Sequence, residues 1–184
     1  SGLPKGRVIG TGTSLDTARL RARLSEYYHI NQQNVHAYVM GEHGDSSFVP
    51  WSVANISNVP IEDCPKSLQT AGVKQPGLDF SDIENYVRKS GARVIERKGA
   101  TYYAVSISVC YIVKCLLAGI DTTMTVSTMM HGEYGIEDVC LSMLSVVGRR
   151  GIMSNIKPEL TEEEVAKLRH SADVLKGVIA QVNI

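Results

Sequence analysis

Residues 35 to 46 read Val35-His36-Ala37-Tyr38-Val39-Met40-Gly41-Glu42-His43-Gly44-Asp45-Ser46. The first six form a short apolar, partly alternating run that ends at glycine, the pattern of a strand delivering its next residues into a loop. That loop carries a glycine-flanked histidine, His43, and upstream lie Asp16 and Arg19, three positions apart. A histidine in such a turn exchanges a proton near neutral pH, an aspartate holds the resulting imidazolium, and an arginine grips a carboxylate through two parallel hydrogen bonds. The trio describes proton transfer on a small anion.

Upstream, a helix is expected to start at Thr13 or Ser14 and to run to about Tyr28. A hydroxyl residue precedes Asp16 near the amino-terminal turn, and neither Gly nor Pro interrupts Leu15 to His29. Asp16 and Arg19 then share a face. At about 100° per residue Arg21 lies roughly 200° round from Arg19, so the two arginines serve different surroundings.

Downstream, Phe48 to Val53 reads as a second strand weakened by Pro50, and Asn58 to Gly77 as an irregular connection. Ser81 to Glu96 reads as a helix interrupted near Ser90-Gly91, and Thr101 to Leu117 as a buried central helix ending before Gly119. Asp121 to Met130 and Asp138 to Val147 flank the turn His131-Gly132-Glu133-Tyr134-Gly135, which predicts an antiparallel hairpin, with a short strand near Gly151 to Ser154. A capping box, Thr161 with Glu164, opens a long amphipathic closing helix. Helices mixed with antiparallel strands make the class α+β.

Composition is that of an ordinary globular domain. The 184 residues are 43% hydrophobic, and 19 Lys plus Arg balance 19 Asp plus Glu, so one domain spanning 1–184 is the natural expectation. Balanced charge without a basic cluster removes the electrostatic footprint of a nucleic-acid binder. No stretch approaches the roughly 20 apolar residues of a membrane span, and no charged segment followed by an apolar core opens the chain, so a cytoplasmic protein is expected. Cys64, Cys110, Cys115 and Cys140 form no C-x-x-C pair and have no histidine at zinc spacing. They are read as buried free thiols, with no metal.

The segment Val8-Ile9-Gly10-Thr11-Gly12-Thr13-Ser14-Leu15-Asp16-Thr17-Ala18-Arg19-Leu20-Arg21, then Gly41-Glu42-His43-Gly44-Asp45-Ser46 and Lys98-Gly99-Ala100-Thr101, resembles the L-lactate dehydrogenase family across nearly the whole chain. Malate dehydrogenases share the Asp, Arg and His pattern but usually have glycine where Glu42 stands. The resemblance implies a catalytic half of mixed helices and antiparallel sheet, working with NAD to interconvert pyruvate and L-lactate in fermentation. His43 would be the general acid and base, Asp16 its orienting partner, and Arg19 the clamp on the substrate carboxylate. Thr101 would border the substrate, and Thr11 and Val105 the nicotinamide. Arg21 and His36 would bind fructose 1,6-bisphosphate as an allosteric activator across an interface of a homotetramer.

The family also carries an amino-terminal Rossmann half, and Gly10-Thr11-Gly12 is not the G-x-G-x-x-G fingerprint. The chain begins Ser1-Gly2-Leu3-Pro4 without methionine, so the expectation is a carboxyl-terminal half, inactive alone. Two alternatives stand beside the lactate reading. One is a malate or other hydroxy-acid dehydrogenase, and the other a non-catalytic oligomerisation or regulatory module that needs no His43. Taken alone, Asp16 and Arg19 would be a solvated helix pair worth only about 0.3 to 0.5 kcal/mol, and the His43 turn a loop needing positive φ.

Overall fold

The computed structural model describes residues 2–67 and 78–182. Helix α1 spans Ser14–Tyr28, strand β1 Val35–His36, β2 Asn55–Ile56, β3 Val59–Pro60, and helix α2 Cys64–Ser67. Helices α3 (Phe80–Lys98) and α4 (Tyr103–Ala118) follow. Strands β4 (Thr122–His131), β5 (Glu137–Gly148) and β6 (Gly151–Asn155) then lead to helix α5, Glu162–Ile179. Two antiparallel three-stranded sheets, β1-β2-β3 and β4-β5-β6, stand among these helices, so the α+β expectation holds.

The long hairpin is the frame of the molecule. Register partners run from Thr122↔Val147 to His131↔Glu137, with a shift between Met129 and His131. The alternating run Thr122–His131 thereby puts Met124 and Val126 on one side, where they pack with Ile112, Cys115 and Val147. Met130, Leu141 and Met143 meet Met40, Phe48, Leu168 and Ala172 of the loop region and α5. A third cluster holds α1 through Leu20 and Leu24 against Val35, Val39, Ile56, Ile83 and Val87. Leu20 lies one turn beyond Asp16, so the face that anchors α1 also aims its carboxylate inward.

Several expectations are corrected. The Val35 to Met40 strand is paired as a ladder only at Val35–His36, and beyond it Met40 and Gly41 make single bridges to Phe48 and Ser142. Phe48 to Val53 is not a strand, because after Pro50 the chain coils into a 3-10 turn at Trp51–Val53. Asn58 to Gly77 is not wholly irregular, since it holds β3 and α2, and its part from 68 to 77 lies outside the described residues.

Helix α3 runs unbroken through Ser90-Gly91. Glycine there costs about 1 kcal/mol, which the Asp79 cap on the Ser81 and Asp82 amides and the basic last turn of Arg97 and Lys98 offset. Helix α4 is not buried. Only Ile112 and Cys115 are enclosed, while Tyr103 is 78% exposed and Ile107, Tyr111 and Leu117 also face outward. Length and apolar content identify a helix but do not say what covers it. Of the four thiols Cys64 and Cys115 are buried, but Cys110 and Cys140 are exposed. The capping box of α5 forms in full, with Thr161 and Glu164 bonded reciprocally.

Candidate active site

The two segments that carry the trio are moored on facing edges of one hairpin. Gly10 exchanges backbone hydrogen bonds with Ser127 of β4 at 3.3 and 3.0 Å, and Gly41 exchanges them with Ser142 of β5 at 3.0 and 2.9 Å. Ser127 and Ser142 are themselves cross-strand partners. A single row, Gly10, Ser127, Ser142, Gly41, therefore sets the spacing between the entry to α1 and the His43 loop. Ser142 adds a cross-tie, its hydroxyl accepting from the Thr13 amide at 3.1 Å.

Helix α1 begins at Ser14 as expected, but not because Thr13 caps it. The Thr13 hydroxyl donates instead to the Val39 carbonyl at 2.5 Å. One turn later the Thr17 hydroxyl accepts from the Val39 amide at 2.9 Å and meets Thr125 at 2.8 Å. These buried bonds fasten the first turn of α1 to the segment leading into the His43 loop. From the other side, Arg88 of α3 donates to the Ser47 carbonyl at 2.8 Å.

Asp16 stands at the junction. One carboxylate oxygen lies 2.6 Å from His43 Nδ1 and the other accepts from Arg19 at 3.1 Å. The Asp16 side chain is only 9% exposed, whereas that of His43 is 61% exposed. The hydrogen bond that Nδ1–H donates to Asp16, opposed by partial burial and assisted by the Asp16 charge, holds the imidazole pKa above its ordinary 6.5. With Nδ1 committed, Nε2 is the nitrogen left to exchange a proton. Arg19 spends one terminal nitrogen on Asp16, and the rest of its planar fork has no protein partner among the described residues.

A cleft of ≈ 520 Å³ opens beside the histidine, with Thr11, Glu42, His43 and Cys140 in its wall. Arg19 and Thr101 do not line it. Thr101 precedes α4 by two residues, and Tyr102, not Thr101, occupies the cap position. Val105 is half-buried in the first turn of α4. No hydrogen bond joins Thr101 to Asp16, Arg19 or His43 among the described residues.

Arg21 faces elsewhere, as the helix geometry requires. Its Nε donates to the Ala37 carbonyl at 3.0 Å, and its guanidinium lies 4.7 Å from the centre of the Tyr38 ring. His36, one residue before Ala37 in the chain, is exposed. Sequence reasoning missed Ser127, Ser142 and Arg88, because a residue acting through a partner dozens of positions away leaves no local pattern.

A model of the lactate/malate dehydrogenase alpha/beta C-terminal domain matches residues 13–183. The chain belongs to the lactate/malate dehydrogenase C-terminal domain family. Among its relatives, an L-lactate dehydrogenase of Thermoanaerobacter sp. (strain X514) is 43% identical over 100% of this chain and 58% of its own length. An L-lactate dehydrogenase of Bacillus velezensis is 46% identical over 98% of this chain and 56% of its own. The solved L-lactate dehydrogenase of Clostridium thermocellum superposes with a TM-score of 0.89 at 40% identity, covering 100% of this chain and 59% of that one. The minor L-lactate dehydrogenase of Enterococcus mundtii, in a ligand-bound form, gives 0.90 at 34% identity over 100% and 57%. This member of the lactate/malate dehydrogenase family thus spans little more than half the length of the curated relatives it matches.

Proposed function

We propose that residues 1–184 act as the substrate domain of an NAD-dependent L-lactate dehydrogenase that interconverts pyruvate and L-lactate. The observation that carries this reading is the Asp16 carboxylate bridging Arg19 and His43 at 3.1 and 2.6 Å. A bound nicotinamide supplies or takes up the hydride. His43 Nε2 gives its proton to the pyruvate carbonyl oxygen and takes it back from the lactate hydroxyl. Asp16 holds the ring in one tautomer and stabilises the charged imidazole. Arg19 pairs with the substrate carboxylate through its free edge.

Thr11 and His43 share one wall of the cleft, which fits the nicotinamide end of NAD, with Val105 as an apolar neighbour and Thr101 bordering the substrate. Glu42 beside His43 favours pyruvate over oxaloacetate in this reading. Arg21 and His36 are proposed to take the phosphates of fructose 1,6-bisphosphate in a homotetramer. Support comes from the Arg21 guanidinium, pinned by the Ala37 carbonyl beside the exposed His36. Among the described residues no helix is long and apolar enough to cross a membrane and none of the cysteines is paired, which agrees with a cytoplasmic, glycolytic setting.

The test joins this chain to the complementary segment of the Thermoanaerobacter relative and follows NADH oxidation with pyruvate or oxaloacetate, with and without fructose 1,6-bisphosphate. Oxidation with pyruvate, lost in His43→Gln, is expected. Preference for oxaloacetate moves the reading to malate dehydrogenase, and silence with both refutes dehydrogenase activity. If the sugar bisphosphate changes neither KM nor thermal stability, the Arg21 and His36 assignment fails.

A further inference from the structure

The loop that bears His43 is closed by a residue far away in sequence. Ser171 lies on α5 and is completely buried. Its hydroxyl accepts from the Glu42 amide at 2.6 Å and lies 3.0 Å from the Ser46 hydroxyl. The Ser46 hydroxyl in turn donates to the Glu42 carboxylate in a short contact. A hydroxyl has one proton to give. Since Ser46 gives its own to Glu42, the proton between the serines belongs to Ser171. The bonds form a directed ring: Glu42 N–H to Ser171, Ser171 O–H to Ser46, Ser46 O–H back to the Glu42 carboxylate.

The ring accounts for both glycines that flank Glu42-His43. Gly41 has φ +92, and a Cβ there would stand 2.6 Å from the Ser171 hydroxyl oxygen. A Cβ on Gly44 would stand 2.6 Å from a Glu42 carboxylate oxygen folded back over the loop. Neither position has room for a side chain while the ring is closed. His43 sits inside the span that the ring cinches, next to the residue whose amide and carboxylate are its two ends.

We infer that Ser171 is a positioning residue for His43: through the Glu42–Ser171–Ser46 ring, α5 holds the loop at the setting in which the imidazole meets Asp16. The inference rests on the proposed proton-transfer role of His43, but the ring itself is readable without turnover. Opening it leaves the Glu42 amide without its acceptor and lets the loop drift, so the 2.6 Å contact between His43 and Asp16 is no longer enforced. Cooperative rings of this kind lose more on removal of one member than a single bond would.

The deciding experiment is a pH titration of the His43 ring by NMR, with hydrogen exchange at the Glu42 amide, in the parent chain, Ser171→Ala and Ser46→Ala. Charged groups around the imidazole are Asp16 and Arg19 from α1, Glu42 from its own loop and Asp138 from β5 in the same cleft, and both substitutions leave them in place. Ser46 is half-buried, so its variant guards against a folding defect at Ser171. In Ser171→Ala the His43 midpoint is expected to move down toward 6.5 and Glu42 exchange to quicken by about tenfold. Ser46→Ala should move both in the same direction. Unchanged His43 titration in both variants overturns the inference, and faster Glu42 exchange with no change at His43 reduces Ser171 to a structural clamp, which also overturns it. Loss of the dehydrogenase reading would show in the NADH assay alone and leave this result standing.

Discussion

Replacing Gly41 by alanine tests the geometry of the His43 loop most directly. Two costs add. A non-glycine residue at φ +92 sits in a sparsely populated backbone region, at about 1–3 kcal/mol. The new Cβ also meets the Ser171 side chain, 2.6 Å from its oxygen and 3.1 Å from its Cβ, and crowding of this kind in a packed interior costs about 1–3 kcal/mol. The sum is roughly 2–6 kcal/mol, and at about 2–4 °C per kcal/mol for a chain of this size the melting temperature should fall on the order of 10 °C. The assay is thermal melting in four proteins: parent, Gly41→Ala, Ser171→Ala and the double variant. Ser171→Ala removes the oxygen at 2.6 Å but keeps the Cβ contact and the backbone strain. Gly41→Ala should therefore cost about 1 kcal/mol less in that background, a coupling that the cycle isolates. Equal cost in both backgrounds would refute the crowding argument, and a melting point within about 2 °C of the parent would refute the strain as well.

Further perturbations probe the remaining parts. Asp16→Asn removes the main cause of the raised His43 pKa, so on the proposed dehydrogenase reading the turnover of the joined enzyme should drop by orders of magnitude. The decline of pyruvate reduction with rising pH should also begin at lower pH than in the parent. Because the folded-state pKa lies above the ordinary 6.5, the stability this contact contributes is fully present below that pH and is lost as pH rises through the folded value. Paired melts of parent and Asp16→Asn should therefore differ most in acid and converge in base, and a gap that widened toward high pH would count against the assignment. Arg19→Lys keeps the charge but loses the planar fork, so KM for pyruvate should rise about tenfold or more. An unchanged KM would remove Arg19 from the substrate contact. Thr161→Ala opens the capping box of α5 and should cost about 1 kcal/mol, or some 2–4 °C in melting temperature.

What was legible in the residue string was local or repeated. Uninterrupted helix formers bounded α1 at Ser14–Tyr28, two β-prone runs around a glycine-rich turn predicted the β4–β5 hairpin, and Thr161 with Glu164 marked the start of α5. The placement of Asp16 and Arg19 on one face, with Arg21 on another, followed from the helical period alone. Where local signals competed, reading failed. Ser90-Gly91 looked like a break because glycine is a weak helix former, yet a capped 19-residue helix absorbs one such residue.

The sequence by itself determined the long helices and the long hairpin, and which residue types are on offer: an imidazole, a carboxylate and a guanidinium in a recognisable order. Only the tertiary structure decided that they meet. The 2.6 Å contact between Asp16 and His43 depends on the row Gly10, Ser127, Ser142, Gly41, and the setting of the loop depends on Ser171, 129 positions from the amide it receives. Backbone preference and side-chain period act over a few residues, so they specify elements. Register between strands and the approach of distant segments arise from how whole elements pack, and no short stretch encodes them. The exposed apolar face of α4 follows the same logic, since its apolar residues mark a helix without deciding which of its faces is buried.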